Sequence, residues 1–403
     1  MIISRIIIYL KQYGLISVFK KVIEKINSFL GRKVKTNFHK KLFLEILEKH
    51  KGENLIIFLS PIPWNVPLFQ RPQHIAENLA KEGYLYFYCT ENNEVNGFKK
   101  IADSCYITNR QDIILKNVGK VIIHTYSTDI RNLRSIIKHA RKKNCIFLYE
   151  YIDELDEELV GKISKYTYLK HNSFLEDEEN SIIIASADTL FQKVLNYRSK
   201  NLALVTNGVE YEHFHIQKTI SEIPIEIKYI VGKNKPIIGY FGAFATWFDY
   251  ELVVRLAIAR PEYEILLIGW NYDNSILKYN LGQYENITVI GPINYKELPK
   301  YAIHFSVSTI PFVLNQITES TSPIKLFEYM ALGKPIVTTN LLECRKYESV
   351  LIGEDIEDFI VKIDKALMLS NDLDYLSLLD MEARENTWEA KAKEIKKMIP
   401  DIN

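Results

Sequence analysis

The run TESTSPIKLFEYMALGKPIVTT, from Thr318 to Thr339, holds the residues best placed to do chemistry. Ser322 suits a helix N-cap, Pro323 the first helical position and Gly333 the stop, with Pro335 just beyond. The spacing predicts a helix over 323–332 and then a strand. A helix N-terminus offers unpaired N–H groups and partial positive charge. The small residues before it, Thr318, Ser320, Thr321 and Ser322, let a phosphate come close. Glu328 lies further in, with Lys325 three residues earlier on the same face, and both side chains tilt back towards the N-terminus. A carboxylate there can accept hydrogen bonds from a vicinal diol such as that of ribose, and the lysine can meet a phosphate. Together they would hold a nucleoside diphosphate. The same two residues also fit a surface ion pair on an ordinary amphipathic helix.

Other candidates lie in the first half. In SPIPWNVPLFQRPQHIAENLA (60–80) a strand ends, a proline-rich loop follows, and a helix begins near Pro72. Arg71 at that N-terminus could hold a diphosphate or an anionic acceptor, or close a domain interface by a salt bridge. His74, one turn in, reads as structural. His124 ends the strand VIIHTY, where it could face the cleft or be a satisfied strand-end histidine. Asp153 and Glu154 follow the strand CIFLYEY and could serve as a general base, or form the acidic first turn of a helix. Asp249 is a candidate of the same kind.

These groups need elements to position them. LIIFLS (55–60), YLYFY (84–88), VIIHTY (121–126), CIFLYEY (145–151), SIIIAS (181–186) and LALVTN (202–207) are nearly continuous apolar runs, as parallel strands covered on both faces are. Helical patterns separate most of them. After a linker over 211–235 the alternation restarts with PIIGYFG (236–242), YEILLIG (263–269), ITVIG (287–291), FSVSTIP (305–311) and KPIVTT (334–339). The reading is α/β, with two doubly wound domains facing a cleft. Its parts are a basic amphipathic segment over 1–45, an N-terminal domain over 50–215, a C-terminal domain over 230–375, and a last helix within 380–403 that packs back on the first domain. Asn386, with Glu389 three later, reads as that helix's cap.

Bulk properties narrow the class. The 403 residues suit two cores rather than one. A net charge of +1 points to no nucleic-acid partner. Cys89, Cys105, Cys145 and Cys344 are scattered, which fits free thiols in a reducing compartment and no structural metal. Through Lys41 the chain carries many lysines and arginines against a single acid, Glu24, interleaved with apolar residues at helical spacing. Such a segment can lie on an anionic membrane surface, or pack on the body with its lysines in water.

Several motifs together resemble the nucleotide-sugar-dependent glycosyltransferases of the GT-B fold, the large family 4 type of bacterial surface-polysaccharide synthesis. SPIKLFEYMALGKPIV is similar to that family's donor-site helix and strand, and TNGVEYEHF to the segment closing its first domain. IIGYFGAFATWFDYELV resembles its strand, glycine loop and helix, VIGPINYKELPKYAIHFSVSTIPF its base-binding run, and PW…QRPQH a stretch of related bacterial enzymes. The resemblance covers about residues 50–400. It implies that Glu328 binds ribose, that the backbone of Gly242 and Ala243 faces the donor phosphates, and that the backbone from Gly291 to Ile293 contacts the base. It implies that His124 touches the transferred sugar, that Arg71 and Lys325 supply positive charge, and that Ser320, Thr321 and Ser322 line the phosphate site. It also implies a metal-independent hexosyl transfer with retention, from a nucleotide-diphosphate sugar to a glycan or lipid-linked acceptor. No cofactor beyond that donor is implied, and the place of work is cytoplasmic, peripheral on the inner membrane face. Two departures stand out. Ser320 occupies the position of the family's first glutamate, with Glu319 one residue off register, and Thr246-Trp247-Phe248-Asp249 replaces the usual basic residues after the glycine loop. A nucleotide-sugar 2-epimerase and a degenerate binding or scaffold protein are the other readings.

Overall fold

The computed structural model describes residues 37–66, 69–90, 94–129, 133–157, 162–215 and 222–401. Most of the basic amphipathic segment, residues 1–36, therefore lies outside the described residues. Its last part enters a helix over 37–49, which sinks Phe43 and Ile46 into the first domain and lays Phe43 against Phe87 and Phe98.

The first domain is built on eight strands: β1 (Asn54–Leu59), β2 (Tyr84–Cys89), β3 (Phe98–Ala102), β4 (Cys105–Thr108), β5 (Ile122–Tyr126), β6 (Ile146–Tyr151), β7 (Ser181–Ala185) and β8 (Leu202–Leu204). They lie in the order β3-β4-β2-β1-β5-β6-β7-β8, parallel except for the edge strand β3. The second domain has β9 (Ile237–Phe241), β10 (Glu264–Ile268), β11 (Ile287–Ile290), β12 (Val307–Ile310), β13 (Ile336–Thr339) and β14 (Val350–Gly353), all parallel, in the order β11-β10-β9-β12-β13-β14. Central strands are buried nearly throughout because helices cover both faces, which is why they read as unbroken apolar runs.

Each sheet reverses its strand order once, between β1 and β5 and between β9 and β12. At such a point the connections leave to opposite faces and open a crevice beyond the strands' carboxyl ends.

The domains are joined by two strands of chain running side by side. Val209 N donates to Asn386 O (2.9 Å) and Trp388 N to Val209 O (3.0 Å). A side chain on Gly208 would stand 2.7 Å from Asn386 O, so glycine is required for this close approach. From there the last helix, Trp388–Met398, crosses onto the helix Arg71–Lys81 of the first domain. Trp388 is buried and stacks on His74, with ring centroids 4.9 Å apart.

Two local readings are corrected. The cap of the last helix is Thr387, whose side chain accepts from Ala390 N, and not Asn386. Asn386 is engaged in donating to Glu382 O and accepting from Lys391 Nζ. The stretch read as a featureless linker contains the short helices Tyr211–Phe214 and Lys228–Gly232 and a 3-10 turn, Ile225–Ile227.

Candidate active site in the interdomain cleft

A cleft of about 380 Å³ lies where the two switch points face one another. Its first-domain wall includes Pro61 and Ile62 after β1, Arg71 and Pro72 at the start of their helix, Tyr126 and Thr128 at the end of β5, and Asp153 after β6. Its second-domain wall includes Gly242 and Ala243 after β9, Phe312 after β12, and Thr318, Thr321, Ser322, Lys325 and Glu328 around the helix Ile324–Ala331.

That helix starts one residue later than its sequence suggests. Pro323 is the N-cap, with extended backbone. Ser322 is not the cap but a clasp between domains, its Oγ accepting from Asn207 N (3.2 Å) and its carbonyl from Asn207 Nδ2 (2.5 Å). The hydroxyl run before the helix is largely self-satisfied. Thr318, Ser320 and Thr321 donate to the carbonyls of Val313, Gln316 and Ile317. Thr318, Thr321 and Ser322 still line the cleft, but Ser320 does not. Its assignment to the phosphate site is corrected, because it is buried and turned back on its own short helix, Gln316–Glu319. Glu319 is exposed and also lies outside the cleft lining.

Glu328 is 5% exposed and Lys325 half-buried. Among the described residues neither makes an ion pair or a side-chain hydrogen bond, so they are not a surface salt bridge. Burial pushes Glu328 up to about 8, offset in part by Lys325 and raised further by Glu210. Burial likewise pushes Lys325 down to about 8 against the pull of Glu328. The ammonium lies over the rings of Phe312 (4.8 Å) and Tyr240 (5.5 Å). Both groups are held away from water at a concave surface, where a ligand's charge and hydroxyls would satisfy them.

Gly242 brings the backbone to the same spot. Its φ is 148°, and a Cβ there would lie 2.9 Å from Lys325 Cε and 2.7 Å from Tyr240 Oη. Behind it, a Cβ on Gly269 would strike Gly242 O at 1.7 Å, so two glycines let the ends of β9 and β10 close up. Ile293 is half-buried against the domain core and outside the main cleft lining, whereas Tyr295 and Leu298 nearby do line it.

The first-domain wall rests on a buried charge relay. Arg71 Nε donates to Glu150 Oε2 (2.5 Å), and Nη1 donates to Thr206 O (3.0 Å) and Asn207 Oδ1 (3.2 Å). Glu150 Oε1 lies 2.7 Å from His124 Nε2, and His124 Nδ1 lies 2.8 Å from the Tyr86 hydroxyl. A carboxylate can only accept, so Nε2 carries the proton facing Glu150. Burial raises the Glu150 carboxyl, but Arg71 and His124 overcome that and hold it below its usual range. His124 is corrected from a sugar-touching residue to a structural one: it is fully buried, both ring nitrogens are engaged, and it is absent from the cleft lining. Tyr126, two residues nearer the strand end, reaches the cleft instead. His74 is likewise packed, between Trp388, Phe69 and Tyr295, and burial, then His213 and Lys81, lower it to about 3. Asp249 caps the helix Tyr250–Ala259 through Leu252 N, and Glu154 is tied to Tyr151 and Lys193.

Asn207, Tyr126, Tyr240 and Phe312 are site residues that the sequence did not single out. The asparagine links Arg71 to Ser322 across the domains. Tyr126 and Tyr240 sat inside apolar strand runs and Phe312 just after one, where nothing separates a residue facing the cleft from one facing the core.

Comparison with known proteins agrees with this architecture. Residues 235–368 match the family model described as "Glycosyl transferases group 1". Over 224 residues the chain is 28% identical to TuaH of Bacillus subtilis (strain 168), a protein assigned to teichuronic acid biosynthesis as a glycosyltransferase. That match spans 53% of this chain and 55% of the relative, so about half the length of each. Sucrose-phosphate synthase of Thermosynechococcus elongatus superposes with a TM-score of 0.62 at 16% identity, over 86% of this chain and 98% of that one. HepE of Anabaena, in complex with UDP and glucose, gives 0.60 at 12% identity over 86% and 99%. WaaG, a glycosyltransferase involved in lipopolysaccharide biosynthesis, gives 0.56 at 12% identity over 86% and 100%. The chain has the GT-B glycosyltransferase fold, two parallel-sheet α/β domains facing a cleft, and its C-terminal domain matches the group 1 glycosyl transferases.

Proposed function

We propose that this protein is a glycosyltransferase that moves a sugar from a nucleotide-diphosphate donor to a hydroxyl of a glycan or lipid-linked acceptor, in the synthesis of a surface polysaccharide. The observation that carries this reading is the pairing of Glu328 and Lys325. Among the described residues these two desolvated groups make no ion pair and no side-chain hydrogen bond, on the helix that opens into the cleft beside Gly242. The ribose diol would be held by Glu328. The diphosphate would lie between the helix N-terminus, the backbone at Gly242 and Ala243, and the Lys325 ammonium, which would stabilise the charge that develops as the sugar leaves. Tyr295 and Leu298 line the cleft where Ile293 does not, and they would flank the base.

The supporting comparisons are the group 1 glycosyl transferase match and the relative assigned to teichuronic acid biosynthesis. Retention, independence of metal and the absence of a further cofactor are proposed on the family resemblance alone. Among the described residues no helix is long and apolar enough to cross a membrane. Work at the inner membrane face is proposed from the basic, apolar-interleaved residues of the first 41 positions. Binding of UDP, GDP, dTDP and ADP, compared between wild type and Glu328→Ala, tests the donor site. Glu328→Ala should weaken the preferred nucleotide by about 1–3 kcal/mol, the scale of lost hydrogen bonds to a charged group, and unchanged affinity would remove Glu328 from the site.

A further inference from the structure

The first-domain wall carries polar groups that the donor does not use. Three come from three different elements. The Asp153 carboxylate follows β6, the Tyr126 hydroxyl ends β5, and Arg71 Nη2 opens its helix. Tyr126 Oη and Arg71 Nη2 face each other, buried in residues only 1% and 3% exposed, and among the described residues neither makes a hydrogen bond of good geometry. Asp153 is half-buried, and among the described residues its carboxylate makes no hydrogen bond and no ion pair. Its backbone, by contrast, is pinned. Ser127 Oγ donates to Asp153 O and accepts from Ile152 N, and Ser186 Oγ donates to Ile152 O. A fixed backbone with an unpartnered acid facing a cleft is the arrangement of a binding group.

The charge balance of this wall says what it can bind. The Arg71 guanidinium is already neutralised by Glu150 in a buried pair. Adding Asp153 leaves the wall neutral to negative, so a diphosphate or an anionic headgroup would find no net attraction there. A neutral hydroxyl would, because it can donate to the carboxylate while its oxygen accepts from the unused N–H or phenol.

We infer that Asp153, flanked by Tyr126 and Arg71, binds the hydroxyl of the acceptor and orients its oxygen towards the sugar held on the opposite wall, so that the acceptor enters as an uncharged polyol. This rests on the donor reading above. The competing role for Asp153 is a domain-closing ion pair with Lys325, and the two differ in what they do to donor binding.

The test uses the full chain, the nucleotide sugar that binds it most tightly by calorimetry, and two nucleophile probes, water and octyl glucoside. Release of nucleoside diphosphate is followed for wild type, Asp153→Asn and Asp153→Glu. Loss of the hydroxyl-binding charge should slow release at least ~100-fold in Asp153→Asn, the lower end of the range for a positioned acid–base group. Donor affinity and melting temperature should stay close to wild type, and Asp153→Glu should recover part of the rate. Release within threefold of wild type in Asp153→Asn would overturn the inference, as would a parallel loss of donor affinity, which marks the closing ion pair. A wild type that binds no nucleotide sugar contradicts the donor reading itself. One that binds a donor but releases nothing to either probe contradicts transfer, and this inference with it.

Discussion

At the residue scale, buried charge governs the cleft. Glu328 is raised to about 8 from an ordinary 4.5. Between those values the folded chain holds a proton that the unfolded chain has released, so this site's contribution to stability falls as pH rises from about 4.5 to about 8. Glu328→Gln cannot ionise, so its stability relative to wild type should grow across that window. Denaturant melts at pH 5 and pH 8 check this, and an advantage that does not grow contradicts it. Above pH 8 the lowered Lys325 acts with the opposite sign, which bounds the useful window. Arg71 behaves differently. Removing it leaves Glu150 buried without its strongest partner, so Arg71→Ala should cost about 3–5 kcal/mol of folding stability. Arg71→Ala combined with Glu150→Gln should recover much of that loss in urea melts. If Arg71→Ala melts like wild type, the relay is not structural. The legibility of the site divides along the same line. Glu328, Lys325, Gly242 and Arg71 could be picked out because their types are unusual in an apolar setting or at a helix terminus. His124 was misread because a strand-end histidine facing the cleft and one a single side-chain layer deeper look alike, and only tertiary packing separates them.

At the scale of elements, glycines set how closely the second domain can approach a ligand. Gly242 lies in a conformation that disfavours a side chain, and a Cβ there would crowd Lys325. Gly242→Ala should therefore weaken nucleotide binding while β9 and its neighbours stay folded. Circular dichroism and calorimetry on the same sample separate the two, and undiminished affinity would place the phosphates elsewhere. The central strands were legible because burial on both faces makes them apolar throughout. β3, β4 and β14 were not. β3 is half exposed with Lys99 and Lys100 in its middle, and β4 and β14 are four-residue strands whose flanks extend no apolar run. The cap of the last helix was misplaced by one residue because Asn386 and Thr387 are both good caps, and Asn386 is engaged instead with Glu382 O and with Lys391, five residues on.

At the scale of the whole molecule, the two domains are held by few elements, and those elements meet the site. The last helix returns to the first domain through Trp388, and the crossing at Val209 and Asn386 lies next to Asn207, which touches both Arg71 and Ser322. A change in the angle between the domains would therefore move the helix that carries Glu328 relative to the wall that carries Asp153. Trp388→Ala should cost about 3–5 kcal/mol, as large aromatic deletions in a core do, and should lower the melting temperature of the first domain in particular. A second domain that melts alone at the wild-type temperature would fit this, and an unchanged first domain would not. The two-domain plan was legible from the repeated alternation of strands and helices. The return of the last helix to the first domain was expected from the sequence, but the Trp388–His74 stack that seats it depended on contacts no local pattern carries.

The most direct test of the central claim is calorimetric titration of the full chain with UDP, GDP, dTDP and ADP, in parallel with Glu328→Ala. The account predicts that one nucleotide binds the wild type and that Glu328→Ala weakens it by about 1–3 kcal/mol, roughly tenfold per 1.4 kcal/mol. Equal binding to both proteins, or binding of none of the four nucleotides, would contradict a donor site on the helix Ile324–Ala331.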